Sequence, residues 1–337
     1  MVKTKLSFLT ILGTALVFVL IVGTSAWTVF AFSKDGKEMT AQNMEIRRYL
    51  GLDQNEYKEF TGKGVTVAIL DSGIEFHNDI PRDKVVLFKD FVKGQEAPYD
   101  DYGHGTFIAG IIGANGKLKG LAENSKLVVA KVLDENGKTD AKTLQKGIEW
   151  IIDNKEKQNI RVVNISIGMD SSYFNLNVDE DPIYKDLKIL RDMGTVIICS
   201  AGNDGPKENT ILYPALSQDV ITVGSVNAQR TMEHEDDTIS VTSSRGSSDL
   251  QPNKPDLVAM GVDVTSLDFR KRDGLTTDSG SSYSAAIVSG VAAVLIEKYP
   301  ENSASSVEMI IRNSVTTVHS AESPSQGHGE IYFADRR

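Results

Sequence analysis

The side chains that could carry chemistry in this 337-residue chain are a few serines, histidines and carboxylates set among glycines. Cleaving an acyl bond with serine takes a hydroxyl nucleophile, a base for its proton, a carboxylate to orient the base and a donor for the oxyanion. Five histidines are available as the base: His77, His104, His234, His319 and His328. Taken singly, each is at least as well explained as a structural or solvated residue. His104 has the most favourable setting, Gly103-His104-Gly105-Thr106, where small neighbours permit close approach and an apolar helical run, Phe107 to Ile112, follows. His328 also lies between glycines, but no helix follows it. A candidate nucleophile lies in Gly280-Ser281-Ser282-Tyr283-Ser284-Ala285-Ala286. A glycine before it and a helix of small residues after it put Ser282 at a helix N-terminus, where free N–H groups and the dipole favour a developing oxyanion. Taken alone, the segment also reads as an ordinary serine-rich cap.

The elements around these residues follow from the apolar pattern. Val65 to Leu70 is a β-branched run between glycines and reads as a fully buried strand. Lys126 to Leu133, Val162 to Ile167, Val196 to Ala201 and Val220 to Val226 read the same way. Thr143 to Asn154, Pro182 to Met193, Tyr283 to Lys298 and Ser305 to Asn313 carry helical spacing, and a shorter helical pattern surrounds Met44 to Leu50. Strand–helix alternation with continuous apolar strands predicts an α/β fold, a mainly parallel central sheet with helices on both faces. Functional groups of such sheets gather at the carboxyl ends of the strands. Asp71 follows one strand, Ser166 lies near the end of another, and Asn203 comes just after a third.

Four segments now stand in order: Val67-Ala68-Ile69-Leu70-Asp71-Ser72-Gly73-Ile74, Gly103-His104-Gly105-Thr106, Ser200-Ala201-Gly202-Asn203-Asp204-Gly205, and Gly280-Ser281-Ser282-Tyr283-Ser284. The order Asp, His, Ser resembles that of the subtilisin family. The resemblance runs from about Gly62 to Ala334 and takes in Asn164-Ile165-Ser166-Ile167-Gly168 and Tyr213-Pro214-Ala215. It implies a serine endopeptidase with Asp71, His104 and Ser282 as triad and Asn203 as oxyanion donor. It also implies that Gly137, Lys138 and Thr139 on one side, and Ser166, Ile167 and Gly168 on the other, bind extended substrate as added strands. The S1 pocket would be lined by Gly168, Met169, Ser200, Ala201 and Gly202. A catalytically inactive, peptide-binding relative is the alternative.

The departures are specific. Phe107 replaces a usual histidine, and Tyr283 with Ala286 replaces the usual Met and Pro after the nucleophile. Both aromatic residues are bulkier than usual, so packing beside the nucleophile is expected to differ. Leu212 stands where a glycine is common, which would shorten S1 and favour small P1 residues. The stretch Gly113 to Gly120 is shorter than the family's calcium loop and carries lysines where oxygen ligands are wanted, so that calcium site reads as absent; no cofactor is required, and calcium elsewhere stays open. Asp134, Glu135 and Asn136 read as an acidic surface turn, and Phe269 to Arg272 as an exposed one. An insertion, Asp170 to Asp181, carries Asp170, Asp179, Glu180 and Asp181. It is either a solvated loop or a bias towards basic substrates.

The net charge of −10 and the lack of a basic patch exclude an ordinary nucleic-acid binder. The one cysteine, Cys199, permits no intramolecular disulfide and reads as a buried strand residue. Lys3 and Lys5 precede an uncharged run, Leu6 to Phe32, long enough to span a bilayer. It is a cleavable signal peptide, with Thr24-Ser25-Ala26 as a candidate site, or an uncleaved anchor holding residues 6–32 in the membrane. Either way the rest faces outside the cytoplasm, on the cell surface or secreted. Three parts are expected: residues 1–32 as leader, 33–63 as a short N-terminal segment and 64–337 as the catalytic domain, with a polypeptide substrate as partner and a monomer as the state. Residues 33–63 are too few for a folded pro-domain, which fits a dedicated processing protease as well as a general degrader. An α/β-hydrolase esterase would need Gly-x-Ser-x-Gly after a strand, and a nucleotide site a glycine-rich first turn; neither is present.

Overall fold

The computed structural model describes residues 31–32, 38–39, 46–54, 56–170, 180–247 and 253–333. The chain divides into two units, Met1–Thr40 and Ala41–Arg337. In the first, Ala31–Phe32 pairs antiparallel with Glu38–Met39; residues 6–30 of the expected leader lie outside the described residues. Among the described residues no helix is long and apolar enough to cross a membrane.

The second unit opens with a short helix, α1 (Ile46–Tyr49), and continues through β1 (Thr66–Asp71), β2 (Val85–Asp90), α2 (His104–Gly113), β3 (Lys126–Lys131), α3 (Ala141–Asn154) and β4 (Ile160–Ile165). Then follow α4 (Pro182–Asp192), β5 (Val196–Ser200), β6 (Ile221–Asn227), β7 (Leu257–Met260), β8 (Val264–Leu267), β9 (Leu275–Asp278), α5 (Ser281–Lys298), α6 (Ala304–Asn313) and β10 (Glu330–Ile331). The sheet runs β10-β7-β6-β5-β4-β1-β3-β2, and every neighbouring pair along that path is parallel. Two short antiparallel pieces complete it, Val315–Thr316 against β10 and Thr238–Ile239 against β6. This is the α/β fold expected from the alternation. β8 and β9 form a separate antiparallel hairpin.

Successive side chains of a strand face opposite ways, and each face of this sheet meets its own core. Val67 and Ile69 of β1, with Leu127 and Val129 of β3, join the cluster that includes α2 and α5. Ala68 and Leu70, with Val128 and Ala130, join the cluster that includes α3 and α4. With both faces covered, the strands need no polar side, which is why they read as unbroken apolar runs. Cys199 sits in the second cluster, and burial pushes its thiol up to about 12, so it remains an inert apolar filler.

α5 carries the greatest constraint. From Ser281 to Ile296 every residue is buried, and it packs against β4 to β7 as well as α2 and α6. Its Ala, Ser and Gly residues permit that close approach. A Cβ on Gly290 would meet the Leu121 side chain at 2.6 Å. α3, α4 and α6 are amphipathic and take conventional caps: Asp140 accepts from Thr143 N, Asp181 from Tyr184 N and Ser303 from Ser306 N.

Candidate active site

Asp71 ends β1 at the carboxyl edge of the sheet and is fully buried. His104 is the first residue of α2, and its Nδ1 lies 2.9 and 3.0 Å from the two Asp71 carboxylate oxygens. A carboxylate only accepts, so Nδ1 carries the donated proton and Nε2 presents a bare lone pair. Burial alone would lower the His104 pKa. The charge and hydrogen bond of Asp71, with Asp100 and Asp278 farther away, outweigh burial and hold it above the ordinary histidine value.

The turn that delivers His104 is organised by Asp100, which the sequence reading did not single out. Its Oδ1 accepts from Gly103 N at 2.7 Å and Ser72 Oγ at 2.8 Å, and its Oδ2 accepts from Thr106 N at 2.9 Å and Thr106 Oγ1 at 2.6 Å. One carboxylate therefore caps α2 and ties it to the turn after β1. Glycine is required on both sides of the histidine: Gly103 has φ +100°, and a Cβ on Gly105 would collide with the Gly73 carbonyl. Beneath the turn, the buried Lys131 ammonium donates to Ser72 O at 2.6 Å, Leu133 O at 2.8 Å and Asp101 Oδ1 at 2.6 Å. It fixes the loops after β1 and β3 together.

Ser282 occupies the first turn of α5, and its hydroxyl donates to the Ser166 carbonyl at 3.3 Å. Ser166 Oγ in turn donates to Ser282 O at 2.9 Å, and Asn164 Nδ2 donates to Ser166 Oγ at 2.9 Å. Ser289 Oγ donates to Asn164 Oδ1 at 2.9 Å. This buried chain keys α5 to β4 along its length. Asn203 follows β5, and its Oδ1 accepts from Ser281 N at 2.9 Å. That bond fixes the amide orientation and leaves Nδ2 as the donor end of an exposed side chain that lines the cleft.

A cleft of about 390 Å³ joins these groups. Its wall includes His104, Ser282, Asn203, Gly137, Lys138, Thr139, Ser166, Ile167 and Gly168, so the residues expected to bind substrate share one surface. Met169, Ser200 and Gly202 of the expected S1 set also line it, whereas Ala201 is fully buried behind it. Tyr102 and Leu133 were not foreseen. Tyr102 is 45% exposed and packs over Gly137; its only signal in the sequence is an aromatic two places before the histidine. Leu212 is wedged between two glycines: a Cβ on Gly168 would meet Leu212 Cβ at 2.8 Å, and one on Gly202 would meet Leu212 Cγ at 2.6 Å.

The bulky departures form a shelf. Phe107 and Tyr283 rings lie 4.4 Å apart, Tyr283 lies 5.6 Å from the His104 ring, and Tyr283 OH donates to Asp278 Oδ2 at 2.6 Å. Asp79 accepts from Lys117 N at 3.1 Å and Leu118 N at 2.8 Å, so its carboxylate serves the short loop after α2 directly. Asp134 accepts from Asn136 N and Lys138 N and builds the expected surface turn. Of the acidic insertion, Asp181 caps α4 and accepts from Tyr213 OH at 2.6 Å, whereas residues 171–179, with Asp179, lie outside the described residues.

Known proteins resemble this chain in both sequence and fold. The Subtilase family matches residues 62–329. Serine protease AprX of Bacillus subtilis (strain 168) is 33% identical over 75% of this chain and 61% of its own length. Subtilisin DY of Bacillus licheniformis is 32% identical over 79% of this chain and 89% of its own. The chain thus spans less than two thirds of AprX. The solved structure of S41 Psychrophilic Protease, 27% identical, matches with a TM-score of 0.71 over 81% of this chain and 93% of that one.

Removing the Asp71 charge leaves burial as the main influence on His104. In Asp71→Asn the imidazole should titrate well below its wild-type midpoint, as followed by NMR of the ring nitrogens. An unchanged midpoint would mean that Asp71 does not control the imidazole.

Proposed function

The chain belongs to the Subtilase family of subtilisin-like serine endopeptidases, and from that premise we propose that it hydrolyses peptide bonds through Asp71, His104 and Ser282. The observation that carries this reading is the buried Asp71 carboxylate on His104 Nδ1, in one cleft with a serine at the N-terminus of a helix. Substrate in the cleft draws the Ser282 hydroxyl from the Ser166 carbonyl to His104 Nε2; contacts of this kind commonly tighten only when substrate binds. Ser282 Oγ attacks the scissile carbonyl as its proton passes to Nε2. The new oxyanion takes the Ser282 backbone N–H and Asn203 Nδ2, donors already oriented before reaction. His104 then protonates the leaving amine, an acyl-enzyme remains on Ser282, and water releases it by the reverse proton path. Asp71 holds the tautomer and stabilises the imidazolium throughout.

Substrate lies extended between residues 137–139 and 166–168. Leu212, filling the space between Gly168 and Gly202, limits S1 to small P1 side chains. A restricted pocket favours selective processing over general degradation. The loop after α2 is held by Asp79 on backbone N–H groups, which supports stability without calcium at that place. The uncharged run from Leu6 to Phe32 behind Lys3 and Lys5 supports a leader, cleaved or anchoring, that delivers residues from Ser33 onward outside the cytoplasm.

Three outcomes test this reading. A fluorophosphonate probe should label Ser282 in the full chain, with labelling lost in Ser282→Ala and strongly reduced in His104→Ala; a folded chain that takes no label would be an inactive relative. Profiling with a peptide library should find Ala or similarly small residues preferred at P1. Leu212→Gly should raise relative kcat/KM for Phe or Leu at P1 by about tenfold or more, and a wild-type preference for large aromatics would reject the short pocket. Added calcium should leave Tm unmoved; a rise that grows with calcium concentration would reveal a bound cation.

A further inference from the structure

Away from the cleft, three acceptor atoms converge in the interior. His234 Nδ1 lies 3.1 Å from Asp237 Oδ2 and 3.3 Å from Glu330 Oε2. Both carboxylate side chains are fully buried, and the imidazole is nearly so. The other ring nitrogen, Nε2, lies 3.1 Å from the Tyr49 carbonyl oxygen. A carbonyl can only accept, so Nε2 carries a proton; without an ion Nδ1 carries one too and donates it to the carboxylates, and once that proton leaves, Nδ1 presents a lone pair to both of them. Two buried carboxylates this close to one ring nitrogen need a positive charge beside them, either the Nδ1 proton or a cation in its place.

We propose that His234, Asp237 and Glu330 bind a divalent transition-metal ion of the zinc type. Donors about 2.0–2.1 Å from a tetrahedral ion sit about 3.3 Å from one another, close to the two spacings from His234 Nδ1. One nitrogen and carboxylate oxygens suit zinc, whereas calcium prefers six to eight oxygens. Two carboxylates and a neutral imidazole around a dication sum to zero charge, the arrangement a buried site favours. The bond from Nε2 to a backbone carbonyl is the outer contact that usually orients a metal-binding histidine. A further donor is at hand: Asp237 Oδ1 is buried and has no hydrogen-bond partner. Tyr49 OH lies 2.6 Å from Asp237 Oδ2 and within hydrogen-bond reach of Glu330 Oε1, so its one proton supports one carboxylate or the other from outside.

The ion would pin three distant pieces of chain: α1 through Tyr49, the turn before Thr238–Ile239, and β10. The imidazole is already held between the Tyr49 and Tyr332 rings, at 4.5 and 4.3 Å. Its role is that of a staple, in a chain whose single cysteine allows no disulfide. Entry of the ion displaces whatever protons bridge the three donors, so binding releases protons.

The test uses the full chain carrying Ser282→Ala, to prevent self-cleavage, after treatment with a strong chelator and its removal. Co²⁺ should give visible d–d absorption of tetrahedral intensity that saturates at one ion per chain and is displaced by Zn²⁺. Zn²⁺ should raise Tm, and Asp237→Asn or Glu330→Gln should weaken its binding by more than about 100-fold. Absence of the Co²⁺ spectrum in the folded chain, or Zn²⁺ affinity unchanged in both variants, would overturn the site and leave a proton-bridged triad. If both variants fail to fold, the spectrum of the parent chain decides the question alone.

Discussion

A helix buried on every side has no solvent to absorb errors in its position, and α5 is such a helix. Its apolar side chains are small, so small shifts would open voids or clashes against β4 to β7. Its polar side chains must find partners inside, and they do: Ser284 Oγ donates to Ala259 O and Ser289 Oγ to Asn164 Oδ1. These bonds admit one axial register. The first turn of α5 then emerges where β1, β4 and β5 end, and Ser282 arrives beside Ser166 and Asn203 without any loop having to choose its position.

The second constraint is electrostatic. Burying the Asp71 carboxylate is costly unless the charge is matched, and His104 matches it from an adjacent element. Asp71 stabilises the charged form of the ring, which is why the imidazole proton is held more tightly than burial alone would allow. The same economy appears at Lys131, whose ammonium is enclosed yet satisfied by two carbonyls and Asp101. Both arrangements sit at strand ends, where paired strands no longer consume the backbone groups and polar partners are within reach.

Much of this was legible because it rests on continuous local pattern. Strands covered on both faces must be apolar throughout, so β1, β3, β4, β5 and β6 stood out. β2 did not, because it is an edge strand with a mixed burial pattern, and β7 to β9 were passed over as short pieces among polar residues. The candidate triad came from the order of four segments and the resemblance they carry, since no histidine or serine stood out on spacing alone; Gly103, at φ +100°, and Gly105, packed on the Gly73 carbonyl, belong to the turn that carries His104. Asp100 and Tyr102 were missed because one acts by accepting backbone N–H groups and the other by lying across Gly137; neither leaves a periodic trace. The grouping of His234 with Glu330, 96 residues apart, depends on sheet order and no local pattern predicts it.

The acidic excess also takes on a different meaning once the contacts are seen. Glu297 Oε2 accepts from Thr61, Gly62 and Lys63 N at 2.6, 2.7 and 3.0 Å. Asp90 accepts from Val92, Lys93 and Gln95 N, and Asp79, Asp100 and Asp134 each hold a loop in the same way. A carboxylate with two or three backbone donors does for a loop what a disulfide cannot do in a chain with one cysteine. Burial works against the Asp90 carboxylate, but its hydrogen bonds outweigh that and hold its pKa below the ordinary value. The sign follows: a group depressed on folding adds stability that is full above its unfolded pKa and is lost as pH falls through the folded one. Part of the net negative charge is therefore structural material, and the loops that Asp90 and Asp134 hold rely on those two carboxylates remaining ionised.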